Sequence, residues 1–375
     1  MMVKRCFYNV GKALFCREQV GNCNIIYDCG GQKLSLVEEV INECFIKENV
    51  HKIDALFISH YDEDHINGIF YLLNNVYVER LILPLISYKD VFISLGYTTN
   101  LDYFNFAFNP YDTLTKKCKN VPIILYQEAF IDLVNGERMH FYLNQVPVSW
   151  NDFRNEQVIP AKTVLTSESL SDWVYMPFNF YKIDKIKEDM FFSKIDCNIN
   201  KDNFKDYWSI CNINEKFKIK KIALEIFNIR KEKYNDSSMT LYSGPLKMEE
   251  NIGCLFTGDF NAKRNFKYLK DYYSLVWNNI SVVQIPHHGS YENFNENLIG
   301  NRNVSIIPAN SNSRICNKVK TLFKIKKKSG YDAVFTDCIL PSITNLYIIK
   351  QNFYVLWHSN QSLYIKLYNK HHKEH

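Results

Sequence analysis

The stretch ISHYDEDHINGI, residues 58–69, places His60, Asp62, Glu63, Asp64 and His65 within six positions, between an apolar run and a helix-like one. Imidazoles and carboxylates so spaced are ligands for divalent cations such as Zn, Mn or Fe. Neighbouring side chains on a loop project in different directions, so one such loop can serve two ions. Two later stretches add donors of the same kind. LFTGDF (255–260) sets Asp259 just past an apolar strand, with Gly258 permitting a tight turn. QIPHHGS (284–290) sets His287 and His288 past another strand, behind a proline and ahead of a glycine. Taken singly, each of these residues is more often structural than functional. Three strand ends delivering metal-type donors together favour a divalent-metal centre.

Strands and helices alternate around these loops. NIIYDCG (24–30), IDALFIS (53–59) and RLILP (80–84) read as strands, with helical spacing in KLSLVEEVINECF (33–45) and INGIFYLLNNV (66–76). A second such part begins near residue 217, with strands expected in KIALEIF (221–227), MTLYSG (239–244), GCLFTGD (253–259), SVVQIP (281–286), VSIIPA (304–309) and DAVFT (332–336). The alternation implies layered α/β architecture, with functional groups at the carboxyl ends of strands. Residues 85–215 break the rhythm. They are rich in Tyr, Phe and Asn and hold Trp150, Trp173 and Trp208, three of the five tryptophans. A structureless loop of that length does not suit a compact domain, so the segment reads as an inserted subdomain or lid. The expected division is therefore 1–84 and 216–370 as two halves of one fold, with 85–215 inserted between them.

Bulk properties bound the answer without deciding it. A chain of 375 residues, 46% hydrophobic and 23% charged, can bury a large core, and a net charge of +5 permits a polyanionic partner without demanding one. The N-terminus lacks the apolar core and cleavage site of a secretory signal, and no run approaches the ~18 apolar residues of a membrane span. Eleven scattered cysteines with no CxxC pair suit a reducing cytoplasm better than a disulfide framework or a thiolate site.

The ordered motifs resemble the metallo-β-lactamase superfamily, whose hallmark is HxHxDH followed by a bridging aspartate and a late histidine. More narrowly they resemble the hydrolase domain of the ComEC-type DNA-uptake proteins, with HxDxDH, TGD and PHHGS matched by SHYDEDHINGI, FTGD and PHHGS. NVGKALF (9–15), YDCGG (27–31) and NDSSMTL (235–241) echo further motifs of that family, and the resemblance spans roughly residues 5–84 and 220–340. It implies an αββα sandwich carrying the aromatic-rich insertion, and one or two Zn or Mn ions. It further implies His60 and Asp62 on the first metal, Asp64, His65 and His287 on the second, Asp259 bridging, and His288 or Asn235 as lesser candidate ligands. Asp28 would support the motif loop by hydrogen bonding. Asp64, Asp259 and His287 would then carry the chemistry, a metal-held hydroxide attacking a phosphodiester of DNA or RNA.

Departures are equally visible. No histidine stands where many members place a third ligand of the first metal, Asn235 and Ser238 being what the sequence offers. The transmembrane channel of the uptake proteins has no counterpart, and ANSNSRICNK (309–318) lacks their His-Pro. Two other functions stay open: a small-molecule hydrolase of a nucleotide, phosphoester or lactone beneath a lid, and a non-catalytic scaffold that keeps the metals for structure. The lysine-rich KVKTLFKIKKKSG (318–330) reads as the solvated face of a helix, or, with Lys326, Lys327 and Lys328, as a phosphate contact.

Overall fold

In a computed structural model, the described residues are 3–86, 91, 100–131, 147–170, 172–181, 185–196, 198–200, 203–227, 238–246, 252–299, 304–309, 311–327, 332–336, 345–349, 352–359 and 362–368. Among them two large sheets dominate. The first runs, edge to edge, through Gln157–Ile159, Ile123–Gln127, Arg80–Pro84, Ala55–Phe57, Cys23–Cys29, Phe15–Val20, Val3–Phe7, Ser362–Tyr368, Asn352–Ser359 and Asn345–Ile349. The second runs through Val148–Ser149, Leu165–Thr166, Trp173–Phe178, Thr240–Pro245, Gly253–Phe256, Ile280–Gln284, Val304–Ile307 and Asp332–Phe335.

Three apolar clusters define the layers. One joins facing strands of the two sheets, with Phe7, Tyr27 and Phe57 against Trp173, Tyr175 and Phe256. A second packs Val37, Ile41, Leu72 and Phe106, from helices, onto the other face of the first sheet. A third packs Leu269, Tyr272, Val319 and Phe323, also helical, onto the other face of the second sheet. Helices outside two stacked sheets make the αββα arrangement expected from the sequence.

One strand expectation fails. KIALEIF lies inside the helix Ile213–Ile226, which starts at a capping box in which Asn212 and Glu215 satisfy each other's backbone N–H groups. Ile219 and Ala223, four residues apart, point inward. A short apolar run imitated a buried strand, and the cap signal upstream outweighs it. Residues 85–215 divide in two: most strands between Ile123 and Phe178 lie within the two large sheets, while Phe104, Phe191, Phe204 and Trp208 form a separate helical cluster that Phe227, beyond the segment, joins. Trp150, Trp173 and Trp208 are all buried, so they serve as core. The described cysteines are all free thiols. No helix among the described residues is long and apolar enough to cross a membrane.

Candidate metal centre

The candidate ligands sit past the carboxyl ends of parallel strands. Ala55–Phe57 lies between parallel neighbours Cys23–Cys29 and Arg80–Pro84, and Gly253–Phe256 pairs in parallel with Ile280–Gln284. His60, Asp259 and His287 therefore leave their sheets in the same sense and meet at one end. Close backbone approach makes this possible. A side chain at Gly30 would place its Cβ 2.0 Å from the Asp64 carbonyl oxygen, and one at Gly258 (φ 52°) would lie 2.5 Å from Ser59 Cβ.

Asp28 anchors the first loop from behind. Fully buried at φ 56°, a left-handed conformation that Asp tolerates better than most residues, its carboxylate accepts hydrogen bonds from Ser59 N (2.6 Å), Ser59 Oγ (2.7 Å) and His65 Nδ1 (2.8 Å). The single Ser59 hydroxyl proton is spent on Asp28, so Ser59 Oγ accepts from His60 Nδ1, 2.9 Å away. Both imidazoles thus carry a proton on Nδ1 and turn Nε2 toward Asp259. His65 Nε2 lies 3.2 Å from Asp259 Oδ1, and His60 Nε2 3.9 Å from Oδ2. Asp259 is itself placed by its own N–H, which donates to Ser238 Oγ at 3.0 Å.

The second histidine loop uses backbone rather than a carboxylate. His287 and His288 both have positive φ, 49° and 55°, followed by Gly289 at 81°. His288 is buried, its Nδ1 donating to the Pro308 carbonyl at 3.1 Å and its Nε2 lying 3.2 Å from Asp64 Oδ2. His287 faces Asp259 Oδ2 at 3.6 Å and stays 28% exposed.

Two donor groups result, His60 with His65 and Asp259, and Asp64 with His65 and His288, each with its ligand atoms within 4.8 Å of one another. The second group holds His288 where the sequence reading gave the weight to His287; a ring at residue 288 reaches Asp64 because consecutive left-handed residues turn it inward. Asp62, at 45% side-chain exposure, lies at the rim, 3.4 Å from His60 Nε2. Asn235 and Lys328, and the side chains of Lys326 and Lys327, lie outside the described residues.

Electrostatics fit a cation. Burial raises and the histidines lower the pKa of Asp259; His287, His65 and His288 win and hold it well below the usual carboxylate range. Asp64 is likewise held low, burial being outweighed by His288 and His65. Burial would depress the His65 imidazole, yet Asp259 and Asp28 raise it well above its ordinary value. For His60, burial and His65 are outweighed by Asp62 and Asp259, again raising it. Buried Nε2 atoms of His60 and His65 make no hydrogen bond among the described residues. A buried donor left so is costly unless something coordinates it, and two imidazoles with carboxylates match a divalent ion.

Some of this was legible only in hindsight. Gln284, a polar residue inside the apolar run SVVQIP, accepts from Thr257 N and Gly258 N, both at 2.7 Å, and so pins the TGD turn. Its polarity within a buried strand was the available signal. Ser59 carried none beyond adjacency to His60.

No protein-family model matches the chain, and no curated protein matches it. Solved structures similar to it include the metallo-β-lactamase fold protein YhfI from Bacillus subtilis, 8% identical, covering 89% of this chain and 96% of that one with a TM-score of 0.37. The short form of human tRNase Z is 11% identical over 75% of this chain and 77% of its own, TM-score 0.32. A diphosphatase from the PhnP family is 7% identical, over 76% and 73%, TM-score 0.30.

Proposed function

We propose that the chain is a metal-dependent hydrolase of the metallo-β-lactamase type, cleaving phosphodiesters of DNA or RNA in a reducing, cytoplasmic setting. One observation carries the reading: two imidazole–carboxylate groups that share His65, one with Asp259 and one with Asp64, meet from loops at the ends of separate strands, with the Nε2 atoms of His60 and His65 buried among carboxylates. His60, His65 and Asp259 would hold one ion, Zn or Mn, and Asp64 with His288 a second. A divalent ion so held would lower the pKa of water toward neutrality and offset charge on a phosphoryl oxygen.

The chain's own residues do the rest. Asp28 and Ser59 hold both imidazoles by Nδ1–H, so Nε2 is the ring nitrogen left to coordinate. The partly exposed Asp62, Asp64 and His287 mark the side open to substrate. His287 Nε2, beside Asp259 yet reachable from solvent, is placed to hand a proton to the leaving oxygen. ComEC-type DNA uptake is no part of this proposal.

Elemental analysis of the purified protein, with cleavage of labelled single- and double-stranded DNA and RNA in added Mn, Mg or Zn, tests the reading. Expected are one or two ions per chain and cleavage abolished by Asp259→Ala and His288→Ala. Metal bound with no cleavage of any strand or of small phosphodiesters would favour a scaffold; turnover of small phosphoesters alone would favour the small-molecule reading.

A further inference from the structure

Two helices send lysines onto one aromatic ring beside the centre. Lys263 Nζ, in the first turn of Ala262–Tyr272, lies 4.3 Å from the centroid of Tyr291, and Lys318 Nζ, in Asn317–Lys327, lies 5.1 Å from the same ring. The negative face of a phenol ring attracts ammonium groups, and here two approach one ring from separate helices. Glu292 stands 3.7 Å from Lys263 and offsets part of its charge. The positive charge that remains favours an anion.

The position of this cluster is fixed by backbone. Tyr291 follows His288 by three residues, so their Cα atoms are no more than about 11 Å apart. The turn between them is closed by Ser290 N to His287 O (2.8 Å) and Phe294 N to Ser290 O (3.0 Å). Lys263 N donates to Asn293 O at 3.0 Å, and Asn293 Nδ2 to Asp259 O at 3.0 Å, which ties the cluster to Asp259 itself. Phe323 reaches Phe294 at 6.3 Å and seats the helix that carries Lys318.

We propose that Lys263, Lys318 and Tyr291 form a phosphate subsite for a single strand of nucleic acid, holding a backbone phosphate a few nucleotides from the one at Asp259. This rests on the phosphodiesterase reading and narrows it: the substrate extends beyond the scissile bond, and the chain binds it through charge rather than base sequence.

The test measures binding without turnover: full-length protein in EDTA with a labelled single-stranded oligonucleotide of about 12 nucleotides, by fluorescence anisotropy across a salt series. Lys263→Ala with Lys318→Ala should weaken binding at least about tenfold and flatten the slope of log K against log salt by about 0.7, the value for one single-strand phosphate contact. The double arginine replacement should restore both within about twofold. Lys267→Ala, an exposed lysine on the same helix, should change affinity less than about twofold. Wild-type affinity and slope in the double alanine variant, or no binding by wild type, overturns the subsite. Weakened inorganic phosphate binding with unchanged oligonucleotide binding assigns the cluster to a small phosphoester and overturns the nucleic-acid assignment. A wild type that binds the oligonucleotide but, loaded with metal, cleaves no phosphodiester supports the subsite and strikes the hydrolase reading instead.

Discussion

The two histidine loops reach one centre by different means. His60 and His65 are held through their side chains, by a buried carboxylate that accepts three hydrogen bonds and by the serine between them. His287 and His288 are held through their main chain, two left-handed residues in succession closed by Gly289. The first device is electrostatic and chooses which ring nitrogen is protonated. The second is steric and chooses only direction, leaving the protonation of His288 to the Pro308 carbonyl. Damage to the two should therefore look different.

Removing the carboxylate should cost most. Asp28→Ala leaves His65 Nδ1, Ser59 N and Ser59 Oγ without their acceptor in the core, a loss of about 3–5 kcal/mol in denaturant unfolding, together with loss of bound metal. If metal affinity survives, the carboxylate does not lock the rings. Next is the backbone device. Gly289→Ala puts a Cβ 2.7 Å from Cys316 Cβ at φ 81° and should cost about 1–3 kcal/mol, lowering metal content at the Asp64–His288 group more than at His60. Equal loss at both groups, read by competition with a chelator, would erase the distinction drawn here.

Ser59→Ala is milder and sharper. It leaves His65 tied to Asp28 and frees His60 alone, so one site's affinity should fall about 10–100-fold while stability changes little. Nitrogen-15 spectra of labelled histidine should show only one ring losing its Nδ1–H form. The smallest effect concerns protons. Because His60 and, more strongly, His65 are raised in the metal-free protein, metal competes with a proton for Nε2. Affinity should fall as pH falls, with proton release visible as buffer-dependent heat in calorimetry; heat independent of buffer would refute it. The sign for folding is opposite. Charged His65 between Asp28 and Asp259 stabilises the metal-free chain below the ordinary histidine range, and that contribution is lost as pH rises through the raised value.

The motif loops were legible because metal chemistry restricts residue type and spacing, and buried parallel strands announce themselves as short apolar runs. SHYDEDH, TGD and PHHGS each fall at the end of such a run, and the structure brings all three to one place. What sequence could not show is which of two adjacent histidines turns inward, since His287 and His288 are chemically identical and only the backbone torsions separate them. The same holds for Ser59, whose role exists only because Gly258 leaves room for it. KIALEIF failed for another reason: a short apolar run reads equally well as a buried strand or as part of a packed helix, and the deciding Asn212 and Glu215 lie outside the window. Within 85–215, aromatic richness signalled packing but not its destination, two sheets for some residues and a helical cluster for others.

The strand Val3–Phe7 takes its second neighbour from Ser362–Tyr368, Val3 standing opposite Leu367. During synthesis the first strand can meet Phe15–Val20 at once, but its other edge waits for nearly the whole chain to emerge. His60, Asp259 and His288 are all translated before that edge is covered. The order of manufacture thus lets the centre assemble on a sheet still open at one side, and a newly made chain whose last strand is delayed presents an unpaired edge to its neighbours.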